Sequence, residues 1–123
     1  MPTTRTTDSF AGTRGTIATV DWPHEDPRRV VVLAHGYGEH IGRYEHVAQD
    51  LAAHGAAVYG LDHLGHGESD GERALVEDFA DVLADLDRLV DRAAAEHPGV
   101  PLVLLGHSMG GLIATRFSPR VCA

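Results

Sequence analysis

Ser108 has the clearest setting for covalent chemistry in this 123-residue chain. It is the centre of Gly106-His107-Ser108-Met109-Gly110, a G-x-S-x-G pattern. The pattern directly follows the apolar run Pro101 to Leu105 and opens a segment, Ser108 to Phe117, that puts Leu112, Ile113 and Phe117 on one helical side. A serine at such a strand-to-helix turn stands at the tip of a sharp bend, its hydroxyl offered for attack on a carbonyl carbon. Glycine at 106 and 110 suits that bend, because close packing leaves no room for a Cβ two residues either side of the nucleophile. The helix start adds free N–H groups and partial positive charge where an oxyanion would develop.

A second segment fits the first. His35-Gly36-Tyr37-Gly38 follows the apolar run Val30 to Ala34, at the place where the other oxyanion donor is expected. The donors would be the backbone amides of Tyr37 and Met109. Gly36 and Gly38 let the main chain approach the reacting atom, and His35 is expected to brace the loop by hydrogen bonds.

The elements that must position these residues read as an alternation. Residues 1–14 are polar and expected to be flexible. Thr16 to Trp22 alternates as a half-buried strand does, and Pro23 to Pro27 reads as a turn. Val30 to Leu33, Ala56 to Leu61 and Pro101 to Leu105 are continuous apolar runs, the pattern of strands buried on both faces of a parallel sheet. Between them, Ile41, Tyr44, Val47, Ala48, Leu51 and Ala52 recur at helical spacing before Gly55. A longer helical stripe runs from Leu75 through Phe79, Val82, Leu83, Leu86, Leu89, Val90 and Ala93, stopped by Pro98 and Gly99. Its acidic residues, Asp85 among them, are expected to face water, with Asp85 and Arg88 as a surface pair. The order predicts an α/β fold of βαβ units, a mostly parallel sheet with helices on both faces. Residues 15–117 form the domain, and residues 118–123 are an atypical tail in which Pro119 ends the helix after Phe117.

Three stretches in a fixed order carry a resemblance: His35 to Tyr44, Leu61 to Ser69, and Gly106 to Gly111. Together they resemble the monoacylglycerol lipase and lysophospholipase group of α/β-hydrolases, the serine aminopeptidase S33-like set, over about Trp22 to Phe117. The resemblance implies a serine hydrolase cleaving the ester of a single-chain lipid such as a monoacylglycerol. Ser108 would be its nucleophile, Tyr37 and Met109 its oxyanion donors, and Asp62 to Ser69 the loop shaping the floor of the site. No cofactor is implied. The N-terminal half of that fold is what the chain's length accommodates.

A serine hydroxyl needs a base to take its proton and a carboxylate to orient that base. In this fold the acid and then the histidine follow the serine in chain order. Met109 to Ala123 contains no Asp, Glu or His, and all nine histidines lie before Ser108. The His107 ring is expected to point away from the Ser108 hydroxyl. His63 and His66 share the loop with Asp62, but their spacing matches neither a recognised base nor a metal-ligand set. The chain is therefore expected to be a truncated or frame-shifted product, its Pro101 to Leu105 strand left with a bare edge, and an alternative reading is a catalytically silent fragment that contacts lipid peripherally through that edge.

The remaining features narrow the class. With 18 acidic and 10 basic side chains the formal net charge is −8, which argues against nucleic acid as a partner. No apolar run is long enough to span a membrane, and Met1 to Thr7 has no apolar core behind it, so no leader is expected. The single cysteine, Cys122, has no partner for a disulfide, as expected of a cytoplasmic protein. Nothing in the sequence specifies an oligomeric state.

Overall fold

The computed structural model describes residues 3–121. Cys122 therefore lies outside the described residues, as do Met1, Pro2 and Ala123. Five strands, β1 (Thr6–Gly12), β2 (Gly15–Trp22), β3 (Arg29–Ala34), β4 (Ala56–Leu61) and β5 (Leu102–Gly106), form one sheet in the order β1-β2-β4-β3-β5. The pairs β4·β3 and β3·β5 are parallel, while β1·β2 and β2·β4 are antiparallel. A single 3₁₀ turn (Ile41–Tyr44) leads into α1 (Glu45–Ala53), and α2 (Phe79–Glu96) and α3 (Met109–Val121) complete the described elements.

Every residue of β4, and every residue of β3 after Arg29, is buried, because helices cover both faces of the sheet. Strand alternation divides the core in two. Val30, Val32, Tyr59 and Leu61 join Leu86 and Leu89 of α2 and Ile113 and Phe117 of α3. Val31, Leu33 and Val58 face the other way, onto Trp22, Ile41 and Ala48. The sheet thus holds the C-terminal ends of β3 and β5 side by side, with Ala34 paired to Gly106.

The N-terminal segment departs from expectation: residues 6–12, inside the stretch read as flexible, form an edge strand. Its side chains are mostly exposed, so no apolar pattern announces it, and the main-chain ladder from Thr6↔Asp21 to Gly12↔Gly15 holds it instead. Arg92 adds a clamp, lying over the Phe10 ring at 5.6 Å and 3.7 Å from the Asp8 carboxylate.

Asp85 also departs from expectation. It is fully buried, and one carboxylate oxygen accepts the Thr13 N–H at 2.9 Å and the Thr13 hydroxyl at 3.2 Å. Arg88 does not pair with it but donates to the Ala11 carbonyl at 3.0 Å. Both residues fasten α2 to the β1–β2 hairpin turn. The helix itself starts at Phe79 rather than near Leu75, where the Asp78 side chain accepts the Ala80 N–H as a cap. At the other end of the chain α3 runs past Phe117 to Val121. Pro119 lacks the N–H that would bond four residues back, but the helix continues through it.

Asp21, beside Tyr59 in the β2–β4 pair, sets a pH dependence. Burial pushes its carboxyl up to about 6, Glu96 and Asp8 adding to the rise and Arg92 opposing it. A carboxyl raised in the folded state disfavours folding increasingly as pH climbs from its ordinary value near 4 to about 6. After allowance for partial exposure the cost above that range is about 1–2 kcal/mol. Asp21→Asn removes it. The variant is expected to melt at a higher temperature than the parent at pH 7.5, with the gap closing towards pH 4, and a gap independent of pH would refute the assignment.

Candidate active site

Ser108 occupies the turn between β5 and α3 with φ +59°, a left-handed conformation that a side-chain-bearing residue adopts only under constraint. The constraint is visible on both sides. The His107 N–H reaches the Ala34 carbonyl at 3.2 Å, and the Gly110 N–H returns to the His107 carbonyl at 2.9 Å. Gly106 and Gly110 are needed for contact: a Cβ on Gly106 would lie 2.5 Å from the Gly110 carbonyl carbon, and one on Gly110 would lie 2.5 Å from that of Ala34. Met109 begins α3 and packs on the larger core cluster.

The loop after β3 lies against this turn. A Cβ built on Gly36 would sit 3.3 Å from the Ser108 Cβ and 3.2 Å from the His107 carbonyl oxygen. Gly38, by contrast, has φ +74° and open space around it, so its glycine serves conformation rather than packing. The exposed Tyr37 ring meets His66 edge-on, and its hydroxyl donates to the Ala74 carbonyl at 2.8 Å.

His35 braces the loop with both ring nitrogens. Nε2 accepts the His63 N–H at 3.0 Å, so Nδ1 carries the proton and donates it to the Gly36 carbonyl at 2.7 Å. Burial, opposed by the bond to Gly36, lowers its pKa. His63 stacks on it at 4.1 Å between ring centroids and donates from Nε2 to the His35 carbonyl at 3.0 Å. Burial, with His35 beside it, pushes the His63 pKa down to about 3. His35 and His63 are thus neutral at pH 7. Asp62 anchors main chain on both sides: one oxygen accepts the Ile41 N–H at 2.8 Å and the other the Glu68 N–H at 2.9 Å.

Glu39 has a place that the sequence reading gave no role. Its Oε2 accepts the Gly36 N–H at 2.8 Å, the Tyr44 hydroxyl at 3.1 Å and the exposed His107 ring at Nδ1, 3.3 Å away. Burial opposes its charge, yet the bonds from Gly36, His107 and Tyr44 prevail and hold its pKa below the usual glutamate value. The signal in the sequence was an acid three residues after a loop glycine whose N–H needs an acceptor. Among the described residues no side chain bonds the Ser108 hydroxyl; its main-chain carbonyl accepts the Leu112 N–H at 3.2 Å.

The chain as a whole has similar proteins. The sequence pattern of the serine aminopeptidase S33 family covers residues 25–121. The chain belongs to that family. It is 51% identical to the monoacylglycerol lipase of Mycolicibacterium smegmatis over 122 residues, which are 98% of this chain and 44% of that protein. It is 46% identical to human monoglyceride lipase over 92 residues, 75% of this chain and 30% of the human one. Among solved structures, a soluble variant of Saccharomyces cerevisiae monoglyceride lipase superimposes with a TM-score of 0.85 at 27% identity, over 98% of this chain and 40% of that one. A carboxyl esterase from Bacillus coagulans gives the same score at 26% identity, over 93% and 39%. The chain thus has the α/β-hydrolase fold and spans less than half the length of these relatives.

Proposed function

We propose that this chain carries the nucleophile and oxyanion half of a serine hydrolase that cleaves carboxylic esters of single-chain lipids, monoacylglycerols in particular. Ser108 Oγ attacks the ester carbonyl carbon, and the Tyr37 and Met109 N–H groups receive the oxyanion. The alcohol then leaves, and water releases the acid from the acyl-serine. The observation that carries this reading is the left-handed Ser108 with the Gly36 backbone closed against its Cβ. The lipase names of the similar proteins support the choice of substrate.

Residues 109–123 hold no Asp, Glu or His, and His35 has both ring nitrogens engaged. The base and its acid are therefore assigned to a region corresponding to the part of the relatives outside the match. A second reading is a silent chain that binds lipid without turning it over. Such a chain would meet lipid through the exposed Val103 and Leu105 of the sheet edge. Among the described residues no helix is long and apolar enough to cross a membrane. The lone cysteine supports a cytoplasmic location.

A chimera decides the matter. Residues 3–117 joined to the unmatched C-terminal part of the Mycolicibacterium lipase are expected to hydrolyse monoacylglycerol, and Ser108→Ala to lower kcat by about 10⁴-fold or more. A folded chimera whose activity survives that substitution would overturn the assignment. A folded but inactive chimera would favour the silent reading.

A further inference from the structure

We propose that Glu39 is a positioning residue, whose carboxylate locks the loop after β3 onto the Ser108 turn and so fixes the main chain that presents the Tyr37 N–H. The proposal rests on the reading of Ser108 and Tyr37 given above and adds the group that holds their two segments in register. One oxygen, Oε2, gathers donors from three places: the Gly36 N–H at 2.8 Å, the Tyr44 hydroxyl at 3.1 Å and His107 Nδ1 at 3.3 Å. Gly36 belongs to the loop, Tyr44 to the 3₁₀ turn leading into α1, and His107 to the residue just before the nucleophile. The Glu39 N–H itself returns to the Gly36 carbonyl at 3.3 Å, so Gly36 and Glu39 are joined twice and Tyr37 and Gly38 form the tip between them.

The tip needs such a hold. Gly38 at φ +74° has nothing within 4 Å of a would-be Cβ, so packing does not fix it. The Tyr37 hydroxyl is tied to Ala74 on one side, but its ring stays exposed. Glu39, with a side chain only 17% exposed, is the tie that connects this tip to the elbow, the turn between β5 and α3 that carries Ser108. Arg43 lies 4.0 Å from its other oxygen and leaves Oε2 to these three donors. A charged acceptor holding three donors is stronger than a neutral one, and losing it frees the Gly36 N–H.

Amide hydrogen exchange on the ¹⁵N-labelled full chain tests this without requiring turnover. In Glu39→Ala the Gly36 amide is expected to exchange about tenfold faster or more, while Val32 in the middle of β3 stays within about twofold. The Tyr37 and Met109 amide resonances are expected to move with it. Glu39→Gln, which keeps an uncharged acceptor, should recover most of the Gly36 protection. It should also abolish the acid-range titration of the Gly36 amide shift that the parent is expected to show. Unchanged Gly36 exchange in Glu39→Ala overturns the proposal. So does acceleration of Gly36 and Val32 together, which marks a loss of global stability rather than of position. The result is independent of Ser108→Ala in the chimera, so failure of the functional reading and failure of the Glu39 assignment are told apart.

Discussion

Gly110→Ala is expected to cost about 3 kcal/mol or more of folding stability and to abolish any chemistry at Ser108. The reason is the nature of the atoms in the way. A Cβ at this position would overlap the Ala34 carbonyl oxygen outright, lie 2.5 Å from its carbon and 2.7 Å from the His35 carbonyl oxygen. These are main-chain atoms at the end of β3, which is paired on both sides, and no rotamer change moves them. Relief requires α3 to lift from the sheet, which uncovers Ile113 and Phe117. Gly38→Ala is the matched control, because it meets open space and suffers only the strain of φ +74°, about 1 kcal/mol. Urea unfolding of the two variants checks the argument. Equal midpoints, or a lower one for Gly38→Ala, would show that the close approach at Gly110 is not what holds the elbow.

That comparison also explains which parts of this protein were readable in one dimension. Val30 to Leu33 and Ala56 to Leu61 announce themselves because strands covered on both faces carry no polar alternation. The elbow announces itself because two close approaches of main chain demand glycine at fixed offsets from one serine. β1 does not, since its residues are mostly exposed and its ladder is made by groups common to every sequence. Asp85 misleads for a related reason. Helical spacing places it among acidic neighbours, but only the tertiary approach of the hairpin shows that Thr13 waits there with two donors. Glu39 was visible within a motif, yet its use depends on where the Gly36 N–H, the Tyr44 hydroxyl and the His107 ring converge. The site is therefore legible where backbone geometry restricts residue type, and illegible where a polar side chain answers a donor brought from far along the chain.

Asp62 is the sharpest case of the second kind, and Asp62→Asn is expected to destabilise the fold by about 2–4 kcal/mol. In the sequence it is one acid in a histidine-rich loop, with no spacing that assigns it a partner. The structure instead spends both carboxylate oxygens on main-chain donors, Ile41 N–H at 2.8 Å and Glu68 N–H at 2.9 Å, with the side chain 4% exposed. The first bond ties the entry of the 3₁₀ turn to the end of β4, and the second closes the loop on itself. Asparagine has the same size but one acceptor, so its amide NH₂ must face an N–H whichever way it is turned. One buried donor is left without a partner at either end, and the repulsion between the two donors adds to that loss. If burial of volume were the role of this residue, Asn would be nearly neutral. The measurement is again the urea midpoint, joined to hydrogen exchange at Ile41 and Glu68. A variant as stable as the parent would show that neither bond contributes.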